Sequence, residues 1–403
     1  MNNKLNGFNN GKDLSDGVGG LPANLETANG LRYDWLIIGA GLGGAVFAHE
    51  MTKIGKTCLI IDRRKTIGGN CYTEIKENIP VHVWGAHIFH TNSQKVWDWV
   101  NQFVKFKKYH HSVKCSYDNK LYTFPINLKT LHEIDPTITS PAQAEAYFEQ
   151  FKNLTSLEGY GDLSEDNLQN HCIKQIGPVL YELFIRGYTS KQWGRDPKEL
   201  PSRIIKRIPV RTNFDDTYFH NAQYEGIPEN GYTQIFEKCL SGITVLNGIE
   251  YLDNQADYDS MAKNILYTGA LDEYFNWDLG ELEWRSLKFD IQTVDVKDFQ
   301  GSSIINYNKE DVPYTRIIEH KHFVGAQSDK TVISYEYPAD WKRKDEPFYP
   351  IADDKNNELH KKYKEKFAQT GKYCTGRLAD YKYYDMDQVI ASSLSLFEKL
   401  KTL

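Results

Sequence analysis

Apolar and polar positions along the chain fall into two rhythms. Tyr33-Asp34-Trp35-Leu36-Ile37-Ile38 is a short apolar run, the pattern of a buried strand. Gly39-Ala40-Gly41-Leu42-Gly43-Gly44 follows directly, and Ala45-Val46-Phe47-Ala48-His49-Glu50-Met51 reads as a helix. Gly55 punctuates that helix, and Thr57-Cys58-Leu59-Ile60-Ile61 is a second strand ending at Asp62, so the segment forms a compact β-α-β unit. Residues 94–106 are predicted helical, with Val96, Trp97, Val100 and Phe103 on one face. Asp118-Asn119 predicts a hairpin between Val113–Tyr117 and Leu121–Phe124. Residues 128–200 lack β-branched alternation and carry helical patterns, notably over 141–152 and 177–187, which predicts a helical insertion. Between about 285 and 340 strand-like runs return, among them Ser303–Tyr307 and Thr331–Tyr337. Helical patterns over 356–369 and 386–401 then flank a strand at Lys372–Thr375.

The glycine run has the context a dinucleotide site needs: a strand before it, a helix after it, and an acidic residue closing the next strand. Gly39 permits the tight turn, Gly41 lets the backbone approach a pyrophosphate, and Gly44 allows close helix–strand packing. The helix N-terminus offers free N–H groups and a positive dipole end to phosphates. Asp62 is placed to accept hydrogen bonds from ribose hydroxyls. The Gly68-Gly69 doublet before Asn70 looks like the extension of FAD-dependent folds related to glutathione reductase and amine oxidases, so FAD is favoured over NAD.

Composition narrows the picture further. A net charge of -6 over 403 residues argues against bulk nucleic-acid binding. No apolar run approaches the roughly 18 residues needed to span a bilayer. The six cysteines are scattered, with no Cys-x-x-Cys pair, which predicts reduced thiols in a cytoplasmic protein. Residues 1–31 carry no clear periodicity and are expected to be a mobile tail. The chain holds 26 Tyr, 19 Phe and 8 Trp, a supply that suits stacking on flat rings.

Five longer strings carry more information than the glycine motif. They are Gly85-Ala86-His87-Ile88-Phe89-His90-Thr91, Gly187-Tyr188-Thr189-Ser190-Lys191-Gln192-Trp193-Gly194, the run from Leu200-Pro201-Ser202-Arg203 through Arg207 to Arg211, Val312-Pro313-Tyr314-Thr315-Arg316-Ile317-Ile318-Glu319-His320, and Gly376-Arg377-Leu378-Ala379-Asp380-Tyr381-Lys382-Tyr383-Tyr384-Asp385-Met386. In content and order they closely resemble the prokaryotic UDP-galactopyranose mutases, from about residue 33 to residue 403. The resemblance implies an α/β fold: a Rossmann-like FAD-binding domain with a helical insertion domain and an antiparallel β-sheet domain. It implies a discontinuous FAD-binding domain (32–111, about 229–270 and 365–403), a helical domain (128–203) and a sheet domain (about 112–127, 204–228 and 271–364). It also implies an isomerase that interconverts UDP-galactopyranose and UDP-galactofuranose through a covalent adduct between sugar C1 and N5 of reduced FAD, acting as a homodimer in cell-surface polysaccharide biosynthesis.

Site residues follow from the same strings. Arg207 and Arg316 stand where the family grips the substrate diphosphate, a task suited to planar, permanently charged guanidinium groups. His87 and His90 are placed beside the flavin as catalytic candidates; a regular strand would send them to opposite faces. No carboxylate or Cys spacing supports a metal there. Gly39, Gly41, Gly43, Gly44, Asp62, Arg63, Gly69, Asn70, His87, Ile88, Arg377 and the run Tyr384-Asp385-Met386-Asp387-Gln388-Val389 are expected at the cofactor. Asp385 serves equally as an ordinary helix cap. For the substrate, Phe184, Tyr188, Thr189 and Trp193 are placed at uridine, although Phe184 and Tyr188, four apart, also fit a helix core stripe. Tyr218, Tyr349 and Tyr383 are placed at the diphosphate, with Asn306 and His111 (of the pair His110-His111) against the substrate. Rival readings are the same chemistry on UDP-N-acetylgalactosamine, a flavin oxidoreductase of amine-oxidase type, and a flavoprotein that binds nucleotide sugars without turnover. The electron donor for the flavin is left open.

Overall fold

The computed structural model describes residues 33–206, 208–219 and 222–403, so the tail expected over 1–31 lies outside the described residues. The strand Tyr33–Ile38 (β1), helix Leu42–Lys53 (α1) and strand Cys58–Asp62 (β2) form the predicted β-α-β unit. A five-stranded sheet grows on it, in the order Thr244–Asn247, β2, β1, Ala262–Tyr267, Tyr373–Cys374, with every pairing parallel. Trp35, Leu36 and Ile37 are all fully buried because helices cover both faces. Trp35 and Ile37 point into a core shared with α1 and helix Met386–Leu400, while Leu36 points to the opposite core with Tyr363 and Phe367.

The second sheet has seven strands: Tyr349–Pro350, Trp284–Val294, Thr331–Asp340, Arg316–Glu319, Ile304–Tyr307, Val113–Tyr117 and Lys120–Phe124. It is antiparallel apart from the parallel junction between Ile304–Tyr307 and Val113–Tyr117. The hairpin predicted at Asp118-Asn119 is present, both residues taking positive φ (47° and 61°) as a tight two-residue turn requires. Helices Leu128–Ile134, Pro141–Glu149 and Leu168–Leu180 share a core with this sheet, burying Val113, Phe124, Ile173 and Ile304 together.

Two helices differ from their predictions. The helix expected over 94–106 spans Gln94–Asn101, and Phe106–Lys108 is instead a strand paired with Tyr224–Pro228. Trp97 is half-buried at the edge of the core beneath α1, packing on Phe106 at 5.1 Å and stacking on Tyr224 at 5.1 Å. The pattern over 177–187 is helical after its first residue, Gly177, whose φ of 81° is non-helical and sets a kink against the preceding helical turns from Leu168; a Cβ there would sit 2.3 Å from the Phe151 ring. The chain then continues through a π-helical turn, Tyr181–Arg186, into helix Gly187–Trp193.

Candidate active site

One cleft of about 710 Å³ runs from the glycine turn after β1 to Arg316 on the seven-stranded sheet. At its first end the glycines divide the work. Gly39 has φ +107°, and a Cβ there would meet Thr268 Oγ1 at 2.1 Å. A Cβ on Gly44 would meet the Gly39 carbonyl at 2.0 Å, so Gly44 serves helix–strand packing and does not line the cleft. Gly41 and Gly43 do line it, facing the backbones of Gly69 and Gly376 at 3.8 Å and 3.5 Å from where their Cβ atoms would stand. No side chain caps the first turn of α1, so its N–H groups open onto this narrow glycine slot. Asp62 accepts from Ala40 N (2.7 Å) and Arg64 N (2.7 Å), and burial pushes its pKa up. Arg63 pairs with Glu273 (3.2 Å) and Glu346 (3.3 Å). Arg64 pairs with Glu346 (2.7 Å), donates to Asn70 (2.9 Å) and lies over Trp84 at 4.6 Å. A narrow slot lined by glycine backbone, uncapped N–H groups, an acidic residue at the end of β2 and arginines fits the pyrophosphate and ribose of FAD.

The middle of the cleft is built by Gly85–Ile88, which is irregular because Gly85 has φ +90°. The strand Phe89–Thr91 begins only afterwards, so His87 and His90 both reach the cleft, as a regular strand would not allow. Burial lowers the His87 pKa to about 4, helped by Arg377 and Arg316 against the opposing pull of the Gly85 carbonyl. Its Nδ1 lies 2.8 Å from that carbonyl, which only accepts, so Nδ1 carries the proton and Nε2 is the acceptor. Burial also lowers the His90 pKa, but the Asp385 carboxylate, whose Oδ2 is 3.7 Å away, outweighs it and the net direction is up. His90 stacks on Phe219 at 3.7 Å between ring centroids. Ile88, Arg377, Tyr384, Asp385, Met386 and Val389 line the same stretch. Asp387 and Gln388 do not; the Gln388 side chain instead accepts the Asp385 backbone N–H at 2.9 Å, closing the first turn of the last helix.

At the far end three strands present one row of side chains. Register sets Asn306 opposite Arg316, and Arg316 opposite Glu336. Arg316 Nε and Nη2 each lie 2.8 Å from Glu336 Oε1. Burial alone would lower the Arg316 pKa, yet the Glu336 carboxylate holds it well above its ordinary value. The second oxygen, Glu336 Oε2, and Asn306 Oδ1 are buried with no hydrogen-bond partner among the described residues. Around this row stand Phe184, Tyr188, Thr189, Trp193, Tyr218, Tyr349 and Tyr383. Tyr349 and Tyr383 stack at 5.3 Å, and Trp193 lies 6.4 Å from Tyr349. Of the histidine pair, His111 is the buried member facing the cleft, 5.1 Å from Tyr218, and burial beside Arg316 lowers its pKa to about 3. His110 pairs outside with Asp216 at 3.0 Å.

Comparison with known proteins bears on this cleft. A UDP-galactopyranose mutase family model matches residues 183–383, and a NAD(P)-binding Rossmann-like domain model matches residues 37–103. A probable UDP-galactopyranose mutase of Klebsiella pneumoniae is 38% identical over 368 residues, covering 89% of this chain and 92% of that protein. The chain belongs to the UDP-galactopyranose mutase family. It is therefore an isomerase with FAD as its cofactor. A dTDP-fucopyranose mutase of Escherichia coli is 35% identical over 369 residues, 89% of this chain and 96% of that protein. The crystal structure of a reduced UDP-galactopyranose mutase shares the fold at a TM-score of 0.73 and 14% identity, covering 91% of this chain and 95% of that one. A putrescine oxidase shares the fold at a TM-score of 0.54 and 11% identity, over 93% of this chain and all of that one. The overall fold is thus shared with both proteins, and the identity of the curated relatives places this chain with the mutases.

Of the expected residues, Arg207 lies outside the described residues, and Gly44, Asp387 and Gln388 are set back from the wall. Every other expected residue lines the one cleft. Arg64, Trp84, Glu336, Glu346 and Phe219 line it too without having been expected. Arg64 sits in the run after Asp62, where a second cation was visible. Glu346 and Glu336 reach the site only through tertiary pairing and leave no local trace.

Proposed function

We propose that this protein interconverts UDP-galactopyranose and UDP-galactofuranose, with FAD at the glycine end of the cleft and the nucleotide sugar at the Arg316 end. The observation that carries the reading is the continuous cleft joining the uncapped start of α1 to Arg316. The flavin, when bound and reduced, supplies the nucleophilic nitrogen that the sugar's anomeric carbon requires. The slot of Gly41, Gly43 and Gly69 with Asp62 and Arg63 would hold the pyrophosphate and ribose; Ile88, His87, Arg377 and the run from Tyr384 would hold the ring. Arg316, fixed by Glu336, and Arg207 would bind the diphosphate. Their attraction grows as the leaving UDP gains charge, so it acts on the transition state. Tyr218, Tyr349 and Tyr383 are positioned to donate to phosphate oxygens, and Phe184, Tyr188, Thr189 and Trp193 to pack the uridine. His111 and Asn306 face the sugar. The Nε2 lone pair of neutral His87 offers an acceptor toward the reacting groups. Aromatic walls keep water from the opened sugar.

At larger scale the reading extends to an FAD domain interrupted by helical and sheet domains, a homodimer in the cytoplasm, and a role in cell-surface polysaccharide synthesis. The test is direct: purified holoenzyme reduced with dithionite should form UDP-galactofuranose from UDP-galactopyranose, followed by chromatography. Turnover by the oxidised enzyme, or oxygen consumption matched to product, would contradict it. The 35% identity to a dTDP-fucopyranose mutase supports a second reading, the same ring contraction on a dTDP-deoxysugar. Parallel assays on both substrates, compared as kcat/KM, decide between them.

A further inference from the structure

Helix Gly187–Trp193 turns Tyr188, Thr189, Gln192 and Trp193 toward the cleft, while Lys191 faces away from it. The Lys191 ammonium sits in a ring of backbone carbonyls: Tyr307 at 2.7 Å, Lys309 at 2.8 Å, Val312 at 3.0 Å and Tyr314 at 3.0 Å. Three ammonium protons shared among four oxygens is the arrangement of a carbonyl cage around a dehydrated monovalent cation. Burial draws the Lys191 pKa down to about 8, while Asp311 and Glu310 pull the other way. The carbonyls belong to the connection between the strand carrying Asn306 and the strand opening with Arg316. Other contacts bind the same connection to the same helical stretch. Asn308 Nδ2 donates to the Leu183 carbonyl at 2.9 Å, Arg186 pairs with Glu310 at 3.5 Å, and a Cβ on Gly187 would meet the Asn308 carbonyl at 2.1 Å.

We propose that Lys191 is a positioning residue: it clamps the nucleotide-facing helix to the strands bearing Asn306 and Arg316, so that base recognition and the diphosphate grip form as one unit. A further consequence is that the cage accepts a potassium-sized cation when the lysine is removed. The inference rests on the nucleotide-sugar reading of the cleft.

The experiment uses FAD-loaded wild-type, K191M and K191A enzymes with UDP as the probe, measured by calorimetry. K191M is expected to bind UDP about ten-fold more weakly, the scale of one lost charge-assisted contact. K191A is expected to recover most of its loss in potassium or ammonium chloride and none in tetramethylammonium chloride at equal ionic strength. UDP binding by K191M equal to wild type, or a K191A defect indifferent to the cation, overturns the proposal. Amide exchange on the wild-type enzyme keeps it testable if the variants do not fold. UDP should slow exchange across 308–314, none of which lines the cleft, and unchanged exchange there overturns the coupling. Wild-type enzyme that fails to bind UDP would count against the nucleotide-sugar reading instead.

Discussion

At the scale of single residues, the Arg316–Glu336 pair is the most consequential contact in the cleft. Arg316→Ala should lower kcat of the dithionite-reduced enzyme by roughly 10²–10³, the cost of one preorganised charge donor. Glu336→Leu should cost about 3 kcal/mol of folding stability by leaving a buried guanidinium unpaired, read as a fall in the denaturant midpoint. Arg316 was legible from its surrounding string. Glu336 was not, because only strand register sets it opposite an arginine 20 positions away. His90 gives a pH test. Its folded pKa is raised above 6.5, so its contribution to stability is complete below that pH and is lost as pH rises through the higher folded value. His90→Gln should therefore cost more stability in mildly acidic than in alkaline buffer, measured by thermal unfolding at both. Asp385→Asn should erase that difference. His87, lowered to about 4, stays neutral through the same range and should add no limb to the pH–rate profile.

At the scale of elements, the glycine turn separates folding from cofactor binding. Gly44→Ala drives a Cβ into the Gly39 carbonyl and should destabilise the protein with or without flavin. Gly41 has φ -78°, and its nearest Cβ contact is an ordinary 3.8 Å, so Gly41→Ala should leave the apoprotein's melting temperature near wild type. The same methyl narrows the slot to Gly69, so the flavin absorbance of purified Gly41→Ala should fall. The packing role of Gly44 was readable from spacing alone, since β1, the turn and α1 are local and consistent with one another. The helix expected over 94–106 was misjudged because Phe106–Lys108 is claimed by Tyr224–Pro228, a partner more than a hundred residues away. Likewise nothing local revealed that Gly177 would press on Phe151 and set a kink between the helical turns from Leu168 and the pattern over 177–187.

At the scale of the whole molecule, the cleft draws on both sheets, so a bound nucleotide should stabilise the fold as a unit. UDP at about 100 times its Kd should add roughly 2.7 kcal/mol, seen as a rise in melting temperature of the holoenzyme. The rise should shrink sharply in Arg316→Ala. The order of the five-stranded sheet could not be read from the sequence, because its strands come from widely separated stretches of chain and only the first two are joined locally. The core beneath that sheet carries a consequence for biosynthesis. Ala45, Val46 and Phe47 of α1 are sealed by Ile390, Leu394 and Phe397 of the Met386–Leu400 helix. A ribosome adding about 5–20 residues per second delivers that helix tens of seconds after α1 has emerged. The nascent chain holds an uncovered apolar surface through this interval, and Arg377 and Tyr384 to Met386 of the cleft arrive only at its end, so flavin capture should follow synthesis and chaperone shielding should raise the yield of yellow protein.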